Sequence, residues 1–131
     1  MIYLDSCVVI YLVEKTSMFH MPVRTLIDLA ADETFAISHL TKAEATVLPL
    51  RTGDRDKLKL FERLFSNLAE LPLPGDVFEL AASIRAETGL KMPDALHVAC
   101  ARHHGCTELW THDSRLSGAA PGLARNILAQ L

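Results

Sequence analysis

Asp5, Glu44, Asp94 and Asp113 are the residues of this chain best placed to do chemistry together. Asp5 and Asp113 each follow a short strand-like run, Ile2-Tyr3-Leu4 and Glu108-Leu109-Trp110-Thr111, and Glu44 and Asp94 fall in the first turns of segments with helical patterning. In a parallel α/β sheet, strand ends and the helix starts that follow them share one rim, where such sheets bind ligands. Carboxylates distant in sequence can converge there. Gathered in one pocket, they repel one another unless protons or a cation intervene. No Lys or Arg lies within two residues of Asp5 or Asp94, and Lys42 and Arg115 are the basic residues near the other two acids. A hard divalent ion such as Mg²⁺ relieves the repulsion, because it takes a few carboxylate oxygens and keeps several waters. Such a site can clamp a phosphodiester, activate a water and stabilise the departing oxygen.

Each acid taken singly also fits a helix cap. Thr41 and Glu44 match the capping-box spacing, in which Glu at the third helical position bonds back to the cap. Asp94 directly after Pro93 suits the positive end of a helix dipole. Asp5 and Asp113 fit as caps of the helices they precede. Capping alone would therefore cluster acids on this rim.

The elements that must position these residues are read from periodicity. Ile2-Tyr3-Leu4 is too short for a helix and suits a buried strand, and Asp5-Ser6 opens a helix through Val8, Val9, Ile10, Leu12 and Val13. Pro22 starts a second helix near Val23, with Leu26, Ile27 and Ala30 on one face. Phe35 to Ser38 is a second strand, and a third helix opens at Thr41, with Pro49 and Gly53 near its end. Leu58, Phe61, Leu64, Phe65 and Leu68 fall at helical spacing after Asp54. Leu71-Pro72-Leu73 suits a brief edge strand, since proline is poorly tolerated in a central one. Helices follow from Asp76 to Thr88, closed by Gly89, and from Met92 to about His104, then a strand at 108–111 and a last strand at Asn126-Ile127-Leu128. Strands alternating with helices predict an α/β fold: one domain over residues 1–131, three-layer α/β/α, with a mainly parallel central sheet.

Composition supports that class. The chain has 131 residues, half of them apolar and only 6% aromatic, so its core is expected to be Leu, Ile, Val and Ala on a sheet and not a β-sandwich. A net charge of -3 gives no global attraction for nucleic acid, so such a role needs a local basic patch or a bound cation. Cys7, Cys100 and Cys106 are odd in number and form no C-x-x-C pair, which points to a reducing cytosol. No apolar run approaches membrane-spanning length and no basic leader precedes the first one. A soluble, cytoplasmic protein is expected.

Read together, Ile-Tyr-Leu-Asp5-Ser6, Glu44, the run Met92-Pro93-Asp94-Ala95-Leu96-His97-Val98-Ala99 and Leu109-Trp110-Thr111-His112-Asp113 resemble PIN-domain ribonucleases, and most of all the VapC toxins of prokaryotic toxin–antitoxin pairs. The resemblance runs nearly end to end, and the Pro-Asp-Ala-Leu-His-x-Ala segment is its most specific piece. It implies a PIN-like fold and a metal-binding acidic set of Asp5, Glu44, Asp94 and Asp113, with Ser6 and Thr111 at positions where hydroxyls support the site. It also implies Mg²⁺ or Mn²⁺, endonucleolytic cleavage of RNA, a homodimer and a cognate antitoxin bound near the active groove. A PIN nuclease with a non-toxin RNA-processing role is the alternative within the family.

Other classes fit less well. A phosphoacceptor signalling domain wants adjacent acids after the first strand and a late lysine, and this chain has Asp5-Ser6 and no lysine after Lys91. A haloacid-type phosphatase wants a second Asp where Cys7 stands. The basic residues Arg51, Arg55, Lys57, Lys59 and Arg63 read first as the solvated side of an amphipathic helix and second as an RNA-backbone patch, diluted by Asp54, Asp56 and Glu62. Cys100, His103, His104 and Cys106 lack a usual zinc spacing. His97, three residues past Asp94, reads as a packed or hydrogen-bonding residue and not a ligand, and His112 is given no role. The apolar first helix, with Met18, Phe19 and Met21 beyond it, is either core or a partner-binding face.

Overall fold

The computed structural model describes residues 1–130. They form five strands and seven helices, in the order β1 (Ile2–Leu4), α1 (Ser6–Val13), α2 (His20–Leu29), β2 (Phe35–Ser38), α3 (His39–Thr52), α4 (Arg55–Phe65), β3 (Ala69–Leu71), α5 (Gly75–Thr88), α6 (Met92–His103), β4 (Glu108–Thr111), α7 (Ser114–Ala119) and β5 (Ala124–Asn126). Every strand pairing is parallel, and the spatial order is β3-β2-β1-β4-β5.

The central strand is the shortest statement of the fold. Its three residues are all buried because both faces of β1 are covered. Tyr3 enters one apolar cluster with Val77, Ala81 and Ile84 of α5, Val98 and Ala99 of α6 and Leu116 of α7. Ile2 and Leu4 enter another with Val8, Val9 and Val13 of α1, Val23 of α2, Ala45 of α3 and Phe61 of α4. Ala36 and Ile37 divide between the same two clusters in β2, and Leu109 and Trp110 in β4. Period-two alternation thus builds the three layers. The chain adds β2 and β3 on one side of β1, then returns through α5 and α6 to add β4 and β5 on the other. That reversal beside β1 is where an open parallel sheet leaves a crevice at its carboxyl edge.

Several boundaries differ from the sequence reading. Helix α2 begins at His20, with Pro22 in its first turn, where a missing N–H costs nothing. Ser38 is the cap of α3, and Thr41 is its capping-box partner. The box is therefore not Thr41 with Glu44, and Glu44 falls in the second turn. Pro49 lies inside α3, which ends at Gly53 in the left-handed region (φ 67°), letting the Asp54 N–H reach the Pro49 carbonyl at 2.9 Å. The edge strand β3 comes two residues earlier than expected, leaving Pro72 just outside the ladder. At the other edge, β5 takes Ala124 to Asn126, opposite Leu109 to Thr111. The short helix α7 had no apolar period to announce it.

Arg51 on α3 and Arg55, Lys59 and Arg63 on α4 are exposed, and Lys57 pairs with Glu14 at 2.6 Å. Val8, Val9 and Val13 are core, whereas Met18 and Met21 are 80% and 65% exposed. No helix among the described residues is long and apolar enough to cross a membrane.

Candidate active site

Asp5 leaves β1 at its carboxyl end, its N–H still on the ladder to the Trp110 carbonyl at 3.0 Å. Extended backbone at Asp5 turns directly into α1, so its side chain stays at the helix mouth: Oδ1 accepts from the Ser6 N–H at 2.8 Å, and Oδ2 accepts from the Thr111 hydroxyl at 2.8 Å. Only 6% of Asp5 is exposed. The cap does not take the group away from the cleft: the carboxylate that caps α1 also lines it. Thr111 hydroxyl in turn accepts from the Asp113 N–H at 3.0 Å, tying the ends of β1 and β4 together.

Glu44 projects from α3 and accepts a hydrogen bond from His97 Nε2 at 2.6 Å. Asp94 stands in the first turn of α6 and is half-buried. Asp113 caps α7 by accepting from the Arg115 and Leu116 N–H groups at 2.8 and 3.3 Å. All four acids line one open cleft of about 340 Å³, with Ser6, Cys7, Tyr11 and His112. Burial, and after it the charges of Asp5 and Asp113, push the Asp94 carboxyl above the usual range; His97 opposes this and Glu44 adds to it. Burial, then Asp5, also pushes the Cys7 thiol up to about 12.

The charge balance is one-sided. Among the described residues none of the four acids pairs with Lys or Arg; Lys42 turns away to Glu70 at 3.1 Å. One oxygen each of Asp5 and Glu44 and one nitrogen of His97 lie within 4.8 Å of one another. Hard oxygen donors in a polar, open, uncompensated cluster fit a hard divalent cation. His97 does not complete the ligand set, since a carboxylate can only accept and Nε2 must therefore carry the proton given to Glu44.

Two expectations follow. Thr111→Val keeps the shape but removes the donor to Asp5 and the acceptor for the Asp113 N–H. It is expected to cost about 1–3 kcal/mol of unfolding free energy, read by urea denaturation. For Asp94, the raised folded pKa means the fold binds the proton more tightly than the unfolded chain. Asp94 therefore contributes stability to the metal-free protein that is fully present below the unfolded value of 3.8 and is lost as pH rises through the higher folded value. Melting in EDTA across the acidic range should show this slope reduced in Asp94→Asn.

The four acids and Ser6 expected from the sequence line this cleft, Thr111 is buried behind it against Asp5, and the cleft's other wall was not foreseen. Thr111 reaches Asp5 through its hydroxyl, whereas Ser6 does so through its backbone and its hydroxyl has no hydrogen-bond partner among the described residues. Tyr11 Oη lies 2.7 Å from His112 Nδ1, and Phe19 stands edge-on to the His112 ring at 4.6 Å. His112, given no role from sequence, thus lines the cleft beside Asp113. Cys100 and Cys106 are buried, His104 Nε2 donates to the Pro72 carbonyl at 2.7 Å, and among the described residues these side chains with His103 form no ligand cluster.

A parallel sheet with this strand order, an acidic cleft at its switch point and helices on both faces defines a class. The PIN domain family model matches residues 2–120, and the chain belongs to the PIN-domain family, a family of nucleases. The fold is shared with a toxin–antitoxin complex from Klebsiella pneumoniae (TM-score 0.78, 22% identity, 96% of this chain and 98% of that one). It is shared also with the VapC20 toxin of Mycobacterium tuberculosis, described as cleaving the sarcin-ricin loop (TM-score 0.74, 19% identity, 92% and 95% of the two chains). A third similar structure is FitAcB from Neisseria gonorrhoeae (TM-score 0.74, 22% identity, 98% and 99%). A search of curated protein sequences found no match.

Proposed function

We propose that this protein is a divalent-metal-dependent endoribonuclease and the toxin of a VapBC-type toxin–antitoxin pair. The observation that carries the reading is the cleft itself: Asp5, Glu44, Asp94 and Asp113 together at the switch point of a PIN fold, with no Lys or Arg among the described residues paired to them. Structural similarity to a toxin–antitoxin complex and to a toxin described as cleaving the sarcin-ricin loop supports the toxin role and RNA as substrate.

Asp5, Glu44, Asp94 and Asp113 would hold Mg²⁺ or Mn²⁺. Bound there, the ion supplies charge that polarises a phosphodiester and lowers the pKa of a water. The chain's own work is orientation and charge. Thr111 and the Ser6 N–H fix both oxygens of Asp5, and His97 fixes Glu44. The whole chain acts as one PIN domain in the cytoplasm, as a homodimer inhibited by a cognate antitoxin.

Expression alone should arrest growth, and co-expression of the neighbouring open reading frame should relieve it. The purified protein should cut RNA at discrete internal positions with Mg²⁺ and lose this activity in EDTA. Cleavage undiminished by EDTA would remove the metal from the reading; metal-dependent cleavage without growth arrest would leave a PIN nuclease that processes RNA and is no toxin.

A further inference from the structure

We propose that His97 is a positioning residue that holds the Glu44 carboxylate at cation-binding spacing from Asp5, an inference that rests on the metal-nuclease reading above. His97 is wholly buried on α6. Its Nε2 lies 2.6 Å from Glu44 Oε1 and 3.6 Å from Asp5 Oδ1, so one N–H sits between two carboxylates that would otherwise repel. Its Nδ1 lies 2.6 Å from Tyr3 Oη, which in turn lies 2.7 Å from Ser38 Oγ.

Counting protons orients this chain. Glu44 only accepts, so Nε2 carries hydrogen; a neutral ring then accepts at Nδ1, from the Tyr3 hydroxyl, and Tyr3 accepts from Ser38. Thr41 donates to the Leu4 carbonyl at 3.4 Å and closes the inner end. Among the described residues no buried side-chain polar atom lacks a partner. Four elements thus converge on one imidazole: β1 through Tyr3, the β2–α3 junction through Ser38, α6 through His97 itself and α3 through Glu44.

A chain needed only to fill the core would gain by being apolar, since buried polar groups stabilise no better than well-packed hydrophobic ones. This one runs through the core and ends with its last donor aimed into the acidic cleft. Partners of metal-binding side chains that fix their orientation typically alter metal affinity by roughly 10–100-fold when removed. The same is expected here, because Glu44 without His97 has no other hydrogen-bond partner among the described residues.

The test is a double-mutant cycle on Mn²⁺ affinity, read from the electron paramagnetic resonance signal of free Mn²⁺, with folding of each variant checked by melting in EDTA. His97→Leu should weaken Mn²⁺ binding by roughly 10–100-fold, and His97→Gln, which restores an N–H, should recover much of the loss. In a Glu44→Gln background, adding His97→Leu should change affinity by no more than about twofold, the margin within which independent effects add. Wild-type affinity in folded His97→Leu, or losses that simply add, would overturn the positioning role. If His97→Leu does not fold, Tyr3→Phe takes its place: it keeps the ring but frees Nδ1, and should weaken Mn²⁺ binding only where Glu44 is intact. An unaltered affinity in Tyr3→Phe would count against the proposal. Wild-type protein that binds no Mn²⁺ would instead overturn the metal-nuclease reading beneath it.

Discussion

Replacing Asp5 by Asn should lower RNA cleavage by on the order of 10³-fold, the scale expected when a preorganised charge is removed from a site, while the protein melts no lower than wild type. The two halves of this expectation come from the same geometry. Asn is as good an N-cap as Asp, so the bond from the Ser6 N–H survives and α1 keeps its start, while the Thr111 hydroxyl then faces an amide NH₂ and keeps its bond only by accepting in place of donating. The cluster loses one negative charge from a cleft where Glu44, Asp94 and Asp113 are unpaired with Lys or Arg, which relieves repulsion in the metal-free state. Function falls and stability holds or rises, as at many sites kept strained for activity. A melting temperature well below wild type would show Asp5 to be chiefly structural.

Phe61→Ala should have the largest effect on the fold itself, a loss of about 3–5 kcal/mol in unfolding free energy. Phe61 is 1% exposed and is the residue through which α4 reaches the cluster under β1, with Phe65 stacked on it at 5.9 Å. Deleting its ring leaves a cavity walled by α1 and α3, the helices that carry Asp5 at one mouth and Glu44 on the other. Denaturant unfolding with an unchanged slope would give the value directly. A loss under about 1 kcal/mol would mean that this layer collapses around the gap.

Much of this was legible before folding. An apolar triplet ending in Asp5-Ser6 reads as a short buried strand handing over to a helix, and it is the central strand. Phe35 to Ser38 and Glu108 to Thr111 read the same way, because strands buried on both faces are plain apolar runs. Helix α4 declared itself through Leu58, Phe61 and Leu64, and Gly89 closed α5 where expected.

What was hidden depended on contacts between distant parts of the chain. Thr41 and Glu44 fit the capping-box spacing, but Ser38 is extended and passes straight into α3, so the helix starts earlier and Glu44 is freed for the cleft. His97 in an apolar run looks like ordinary core; its meaning lies in Tyr3, 94 positions away, and in Glu44, 53 positions away. Helix α7 is six residues long, too short to establish a period, and β5 is an edge strand whose register is set by β4. The aromatic wall of Tyr11, Phe19 and His112 joins residues that no motif connects.

Calorimetric titration of Mn²⁺ into protein first stripped with EDTA bears on the acidic cleft without any assumption about substrate. Wild type should bind saturably and Asp5→Asn should bind far more weakly, because folding has brought together carboxylates whose repulsion a cation relieves. Saturable binding of equal strength in both proteins, or none in the wild type, would contradict a metal site at the head of β1.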